Sequence, residues 1–531
     1  MSFLSPSFFV FILICLFIYY LIPKRFQWYI LLIASLLFYC WGGRYKAIVY
    51  LLCTAFSTWL AALMIDALSG WVSEYFRLNK ELSKSERKVV SEKSKRTKKI
   101  IFLCGMVLNI LILCIIKYTN FAIKNIAQLW SIFTVSEVST PVLSFLVPLG
   151  ISFYTFQSLG YLIDVYWGKY RAEKNFAKYL LFVSYFPQIV QGPIGRYDQL
   201  AAQLTKQNQF QYENLKHGAI LMLWGYMKKL VIADRIAPLV ATVCKSPGEY
   251  DGSVIVLAIF TYAIQLYADF SGGIDIVTGI SEMFAIRLSP NFMRPYFATS
   301  LGDFWRRWHI SLGAWMRDYV FYPFARSKFI TKTCKKLKGL HKKIAALFPA
   351  MVGNILVFFL VGIWHGAEWR YIFWGLYNGI ILALSILFKP LYSQFYEKFP
   401  QTKECCLWHI FQVIRTFIIV CIGYYFDCCT EISEAFLMLK KSIFGFHFSA
   451  LLQDNILKLG MEKWDYIIAV VAVLLLLTVS FFQERGVQIR FWLDKRNIVL
   501  RWSILYGLIF FIIAFSITGV NAMEGFMYAI F

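Results

Sequence analysis

Apolar runs near the length needed to cross a bilayer, about 20 residues, recur along this chain and limit the folds open to it. They cover residues 3–22, 26–39, 47–64 and 100–116, then 142–163, 180–190, 220–232, 254–267, 344–364, 371–388, 410–426, 466–482 and 500–517. Hydrophobic residues make up 59% of the 531 and charged residues 16%, against roughly a half and a quarter in soluble domains. The expected fold is an all-α polytopic membrane protein with about 10–13 transmembrane or re-entrant helices. Several runs are short or interrupted by Gly, Pro or charge. Irregular backbone at that depth is tolerated where protein or a cavity surrounds it.

The net charge of +24 is concentrated in basic segments 77–99 and 326–343, with a smaller cluster at 485–501. Lys and Arg accumulate in cytoplasmic loops. These segments are therefore expected in the cytoplasm and, counting back over three spans, the amino terminus outside. Residues 3–22 lack a basic n-region and an Ala-x-Ala cleavage signal, so they read as a retained first span. Topology and contact with anionic lipid account for the basic loops; docking of a phosphate-rich or acidic acyl donor is the other reading. No nucleic-acid-binding module accompanies the charge. The Lys-, Glu- and Ser-rich stretch 78–99 is expected to be a mobile or helical loop. The 12 cysteines lie mostly within apolar runs, singly or as the adjacent pairs Cys405–Cys406 and Cys428–Cys429. They read as buried thiols with no zinc-site spacing.

His365 follows the uninterrupted apolar run 357–364. Ionisable residues inside spanning segments are costly and tend to mark pathways or reaction sites. Imidazole also suits proton transfer near neutral pH. A helix-to-helix hydrogen bond is the structural alternative. A second histidine, His309, lies in the segment 301–320. Wound as one helix, that segment puts Phe304, Trp305, Trp308, Leu312, Trp315, Met316 and Tyr319 on one stripe. Asp303, Arg306, Arg307, Arg317 and Asp318 fall opposite, with His309 at the seam. Such a helix lies at the interface or lines a polar cavity.

The segment Asp303 to Tyr319, the run Gln265 to Asp275 and Trp364-His365-Gly366-Ala367 together resemble the membrane-bound O-acyltransferase family, and within it the bacterial alginate O-acetylation branch. Supporting stretches are Val147 to Gln157 with Asp164-Val165-Tyr166, Phe186-Pro187-Gln188, Gln191 to Ile194, and Asn291 to Tyr296. The resemblance covers roughly residues 1–390, expected as the acyltransferase core, with 391–531 as transmembrane helices completing the bundle. It implies a polytopic core, with interfacial amphipathic helices, in which a funnel from each face meets near the bilayer centre. It also implies His365 as catalytic residue with His309 as functional companion. The acyl group arrives as a cytoplasmic thioester, acetyl-CoA or an acyl carrier, with no bound cofactor or metal. On the outer side it passes to a polysaccharide, with an extracytoplasmic SGNH-type acyltransferase as expected partner. The location implied is the bacterial plasma membrane. Where relatives often carry a third histidine, this chain has Asn378, which cannot act as a base.

The chemistry can be argued from the residues. An alcohol needs a base within about 2.6–3.2 Å of its proton, for which His365 is the candidate. The developing oxyanion needs donors, for which Trp308, Arg307, Asn378 or backbone amides near Gly366 are candidates. Asp269, Ser271, Asp303, Trp305 and Trp364 are candidate cavity-lining residues, although membrane carboxylates also pair structurally with arginines. Glu368 is placed to orient His365 if the helix continues that far. No Gly-x-Ser-x-Gly elbow or His-Glu-x-x-His motif appears, so direct transfer in a ternary complex is the expected mechanism. Transfer of D-alanine toward teichoic acid and a proton-coupled transporter or flippase remain alternatives, the latter without an apparent inverted repeat.

Overall fold

The computed structural model describes residues 3–41, 45–134, 142–146, 148–452, 454–517 and 525–527. Among these, eight helices are long and apolar enough to cross a membrane: Tyr45–Leu78, Lys84–Thr134, Gly252–Met283, Lys342–His365, Trp369–Leu387, Cys406–Cys428, Lys463–Glu484 and Ile498–Phe515. Pro6–Leu21 is apolar but shorter, at 16 residues. The remaining apolar runs become short helices and irregular turns. Two compact units contain them, one of residues 1–215 with 280–289 and the other of 216–279 with 290–531.

In the first unit the run at 142–163 is helical only from Ile151, and the helix continues to Tyr166; Val147 lies outside the described residues. Gly150 sets that start. It sits in the left-handed region at φ 66°, and a Cβ there would come within 1.8 Å of the Ile189 carbonyl oxygen. The helix Ile151–Tyr166 is buried along nearly its whole length. The run at 180–190 likewise ends as a helix at Ser184, and Gln188 then turns its amide onto the Pro193 carbonyl (2.5 Å). These two motif stretches pack against one another and supply structure.

The Lys- and Glu-rich stretch, expected as a mobile or helical loop, is helical from Lys84 and continuous with the spanning part of a 51-residue helix, Lys84–Thr134. At 1.5 Å per residue such a helix is about 75 Å long, more than twice the hydrocarbon thickness. Its basic first turns therefore extend beyond the apolar part. The second basic segment, 326–343, contains the helix Lys328–Leu340.

In the second unit the run at 220–232 passes into a π-helical stretch, Met227–Ala233. Lys228 and Lys229 are both buried there. Lys228 bonds Asp275 (2.8 Å) and Ser271 (2.9 Å), while Lys229 bonds Asp269 (2.6 Å) and Asp234 (2.8 Å). Buried charges require such partners.

Candidate active site

Ser300 opens the segment that carries His309. Its hydroxyl accepts the Asp303 N–H (3.1 Å) and caps the short helix Leu301–Arg307. The single amphipathic helix expected over 301–320 does not form. Trp308 is extended, and His309 takes the left-handed conformation at φ 46°, ψ 52° before Ile310–Met316 resumes as helix. For a residue with a Cβ that conformation costs about 1–2 kcal/mol, a strain typical of functional sites.

Residues 291–293 hold the break open. Phe292 and Trp308 form an antiparallel bridge, with Met293 N–H donating to the Arg307 carbonyl (2.9 Å) and Ile310 N–H to the Asn291 carbonyl (3.0 Å). Asn291 Oδ1 accepts from the Ser311 N–H (3.0 Å) and from Ser311 Oγ (2.8 Å), and it lies 3.3 Å from His309 Nδ1. A backbone N–H can only donate, so this atom is an acceptor and Nδ1 carries the hydrogen toward it. In the neutral ring Nε2 is then the basic nitrogen. His309 lies outside the long spanning helices. Burial, followed by the nearby His365, pushes its pKa down to about 3, so the imidazole is neutral.

His365 is the last residue of Lys342–His365, and Trp369–Leu387 returns antiparallel after a short turn. Two glycines set how closely these helices pack. A Cβ on Gly362 would lie 2.3 Å from the Tyr371 carbonyl oxygen, and one on Gly375 2.3 Å from that of Phe358. Small residues at such crossings are characteristic of membrane helix packing. The crossing puts the His365 ring edge-to-face with Trp374 (4.9 Å between centroids) and with Trp364 (5.1 Å). Trp364 in turn meets His309 at 6.0 Å. Both histidines thus contact one indole, and Phe270 also packs edge-to-face on His309 at 4.9 Å. The helix stops at His365, so Glu368 does not continue it; that carboxylate pairs with Arg370.

A cavity of about 480 Å³ is lined by Trp305, Trp308, His309, Arg306, Arg317 and Asn354 among others. His365 is not among its lining residues. Trp305 Nε1 is buried and has no hydrogen-bond partner among the described residues. Arg307 is held by Asp303 (3.0 Å) and by Glu484 (2.8 Å), which also takes Arg294 (2.5 Å). Asn378 spends an amide hydrogen on the Trp374 carbonyl (2.9 Å) and shares a small void with Trp305, Trp308 and Asp427.

Asp269 and Ser271 lie apart from this cavity. Asp269 is closed by Lys229 and by the Met527 N–H (3.0 Å), and Ser271 borders a separate, larger cavity. Sequence reasoning did not assign functions to Asn291 or Glu484. Asn291 stood in a recognised motif without a role, and Glu484 is brought in from a helix far along the chain.

The model of MBOAT, the membrane-bound O-acyltransferase family, matches residues 171–428. The chain is 31% identical over 382 residues to the probable alginate O-acetylase AlgI of Azotobacter vinelandii, covering 72% of this chain and 68% of that protein. It is 32% identical over 330 residues to the peptidoglycan O-acetyltransferase of Helicobacter pylori, covering 57% and 58%. To the teichoic acid D-alanyltransferase of Bacillus subtilis it is 27% identical over 304 residues, covering 56% and 73%. By this family match, the identity to these relatives and its helical membrane architecture, this chain belongs to the membrane-bound O-acyltransferase family, among its alginate O-acetylase-like members, and is an O-acyltransferase acting on hydroxyl groups.

Proposed function

We propose that this protein, in the bacterial plasma membrane, takes an acetyl group from a cytoplasmic thioester, acetyl-CoA or an acyl carrier, and delivers it for O-acetylation of an extracytoplasmic polysaccharide. An SGNH-type acyltransferase is the expected partner on the outer side. The acetyl assignment draws support from the alginate and peptidoglycan O-acetylating relatives.

His365 serves as general base. It takes the acceptor hydroxyl proton while the oxygen bonds to the acyl carbon, and returns that proton to the sulfur as the carbon–sulfur bond breaks. His309, neutral and with Nε2 as its acceptor, orients the reacting hydroxyl. The N–H of Trp305, buried and without a hydrogen-bond partner among the described residues, is the proposed donor to the oxyanion. The single observation behind this reading is that His309 and His365 both pack against Trp364.

The test is complementation of a deletion strain, with mass spectrometry of its envelope polymers. His365→Ala is expected to lower acylation by about 10²–10⁴-fold, the usual contribution of a general base, with protein levels unchanged. Full acylation by this variant would rule out His365 as base. The D-alanyl alternative draws on the teichoic acid relative, and finding alanyl rather than acetyl esters would establish it.

A further inference from the structure

Three spanning helices have one end each around a segment that itself crosses nothing. Cys406–Cys428 finishes there, and Gly252–Met283 and Lys463–Glu484 begin there. The helix Ile432–Phe444 and the turns after it are tied to these ends. Tyr425 Oη donates to Ser442 Oγ (2.9 Å), Gly252 N–H to the Gly445 carbonyl (2.9 Å) and Tyr466 Oη to the Ile456 carbonyl (2.6 Å). The far end of Lys463–Glu484 runs into the basic cluster 485–501, so this segment belongs to the opposite, less basic face.

Its polar groups engage the protein. His447 N–H donates to Asp251 Oδ1 (3.0 Å), Ser253 Oγ donates to the His447 carbonyl (2.9 Å), and His447 Nδ1 lies 2.7 Å from Asp251 Oδ2. Lys441 Nζ donates to the Tyr250 carbonyl (3.0 Å). The large side chains left outward are apolar: Ile443, Phe444, Phe446, Phe448 and Leu452 are 46–82% exposed. Hydrocarbon requires backbone groups to be satisfied within the protein and accepts apolar side chains, whereas water favours the reverse. Trp464, exposed in the first turn of Lys463–Glu484, is of the type that collects at the membrane boundary. Three lysines stand against four carboxylates between 429 and 462, so apolar contact rather than charge would hold the segment to a bilayer.

We propose that residues 443–452 insert into one leaflet without crossing it, with their phenylalanine rings among the lipid acyl chains just below the head groups, as interfacial apolar faces do. The segment lies beyond the family match, which ends at residue 428. Neither histidine of the site belongs to it, so the proposal does not rest on the acyl-transfer reading.

Photocrosslinking in cells tests it, with p-benzoylphenylalanine in place of Phe444 or of Phe448 in the full chain, and in place of Leu474 as a reference on the exposed side of a spanning helix. An aromatic group replaces an exposed aromatic group, so the fold is kept. Intact masses of the purified protein should show phospholipid adducts at both positions in yields within about threefold of that at 474, with fragmentation placing the link on an acyl chain. A lower yield at either position would mean that the side chain faces water, and links confined to head groups would mean that it rests on the surface; each result overturns the proposal. Crosslinking to a second polypeptide would identify a protein interface and overturn it as well.

Discussion

Asn291 decides which nitrogen of His309 is basic, through an oxygen already committed to Ser311. Replacing Asn291 by Ala leaves a buried N–H and hydroxyl without that acceptor and frees the imidazole to change tautomer. Each such bond is worth about 1 kcal/mol net, and kcat is expected to fall about 10–100-fold, with the donor KM little changed. Single-turnover acylation in proteoliposomes measures this; an unchanged kcat would remove Asn291 from the mechanism. Burial also gives His309 a pH signature. Its folded-state pKa of about 3 lies below the ordinary value near 6.5, so between these values the unfolded chain binds more protons and stability falls as pH falls. The thermal midpoint in detergent should drop between about pH 7 and pH 4, and His309→Gln should flatten that part of the curve. An identical pH dependence in the variant would mean that His309 is protonated in the fold. Both histidines were legible in the sequence because charge is conspicuous in an apolar or tryptophan-rich context. Their geometry was not, since that of His309 depends on hydrogen bonds from residues 291–293 and that of His365 on the helix crossing at Gly362 and Gly375, neither of which periodicity announces.

At the scale of the element, the segment around His309 shows where pattern reading stops. Its side chains recur as in a helix, so 301–320 reads as one amphipathic helix, yet the chain breaks at Trp308–His309. The bridge to Phe292 and the ion pair of Arg307 with Glu484 outweigh local helical preference. Tertiary contacts routinely override propensity in this way. Glu484→Gln removes a charge shared by Arg294 and Arg307 and should loosen this segment, lowering activity about 5–10-fold while membrane expression is kept; partly buried pairs broken on one side carry a cost of that order or more. The helix pair around His365 is stricter. Gly375→Leu places side-chain atoms where the Phe358 carbonyl already sits, and overpacking costs about 1–3 kcal/mol or more. Loss of the monodisperse peak in detergent chromatography is expected, and a well-folded, active Gly375→Leu would show that the crossing can widen without harm.

For the whole molecule, composition was sufficient to identify a helical membrane protein, because spanning runs leave few alternatives. The run-by-run division was less legible. The stretches at 142–163, 180–190 and 220–232 are broken by Gly150, by the Pro187 turn and by the π-helical segment at Met227–Ala233, features that protein packing sustains and hydropathy does not register. Charge asymmetry makes the remaining prediction. The helix Lys328–Leu340 carries Lys328, Lys332, Lys335, Lys336 and Lys338, and the positive-inside rule puts it on the cytoplasmic side. If its charge serves orientation, changing Lys332, Lys335, Lys336 and Lys338 to Gln should raise the fraction of wrongly inserted chains, while correctly oriented protein keeps its donor KM. Reporter fusions placed after Lys343 measure insertion, and acylation by oriented proteoliposomes measures KM. A several-fold rise in KM with normal insertion, lessened by added salt as screening requires, would assign these lysines to donor docking instead.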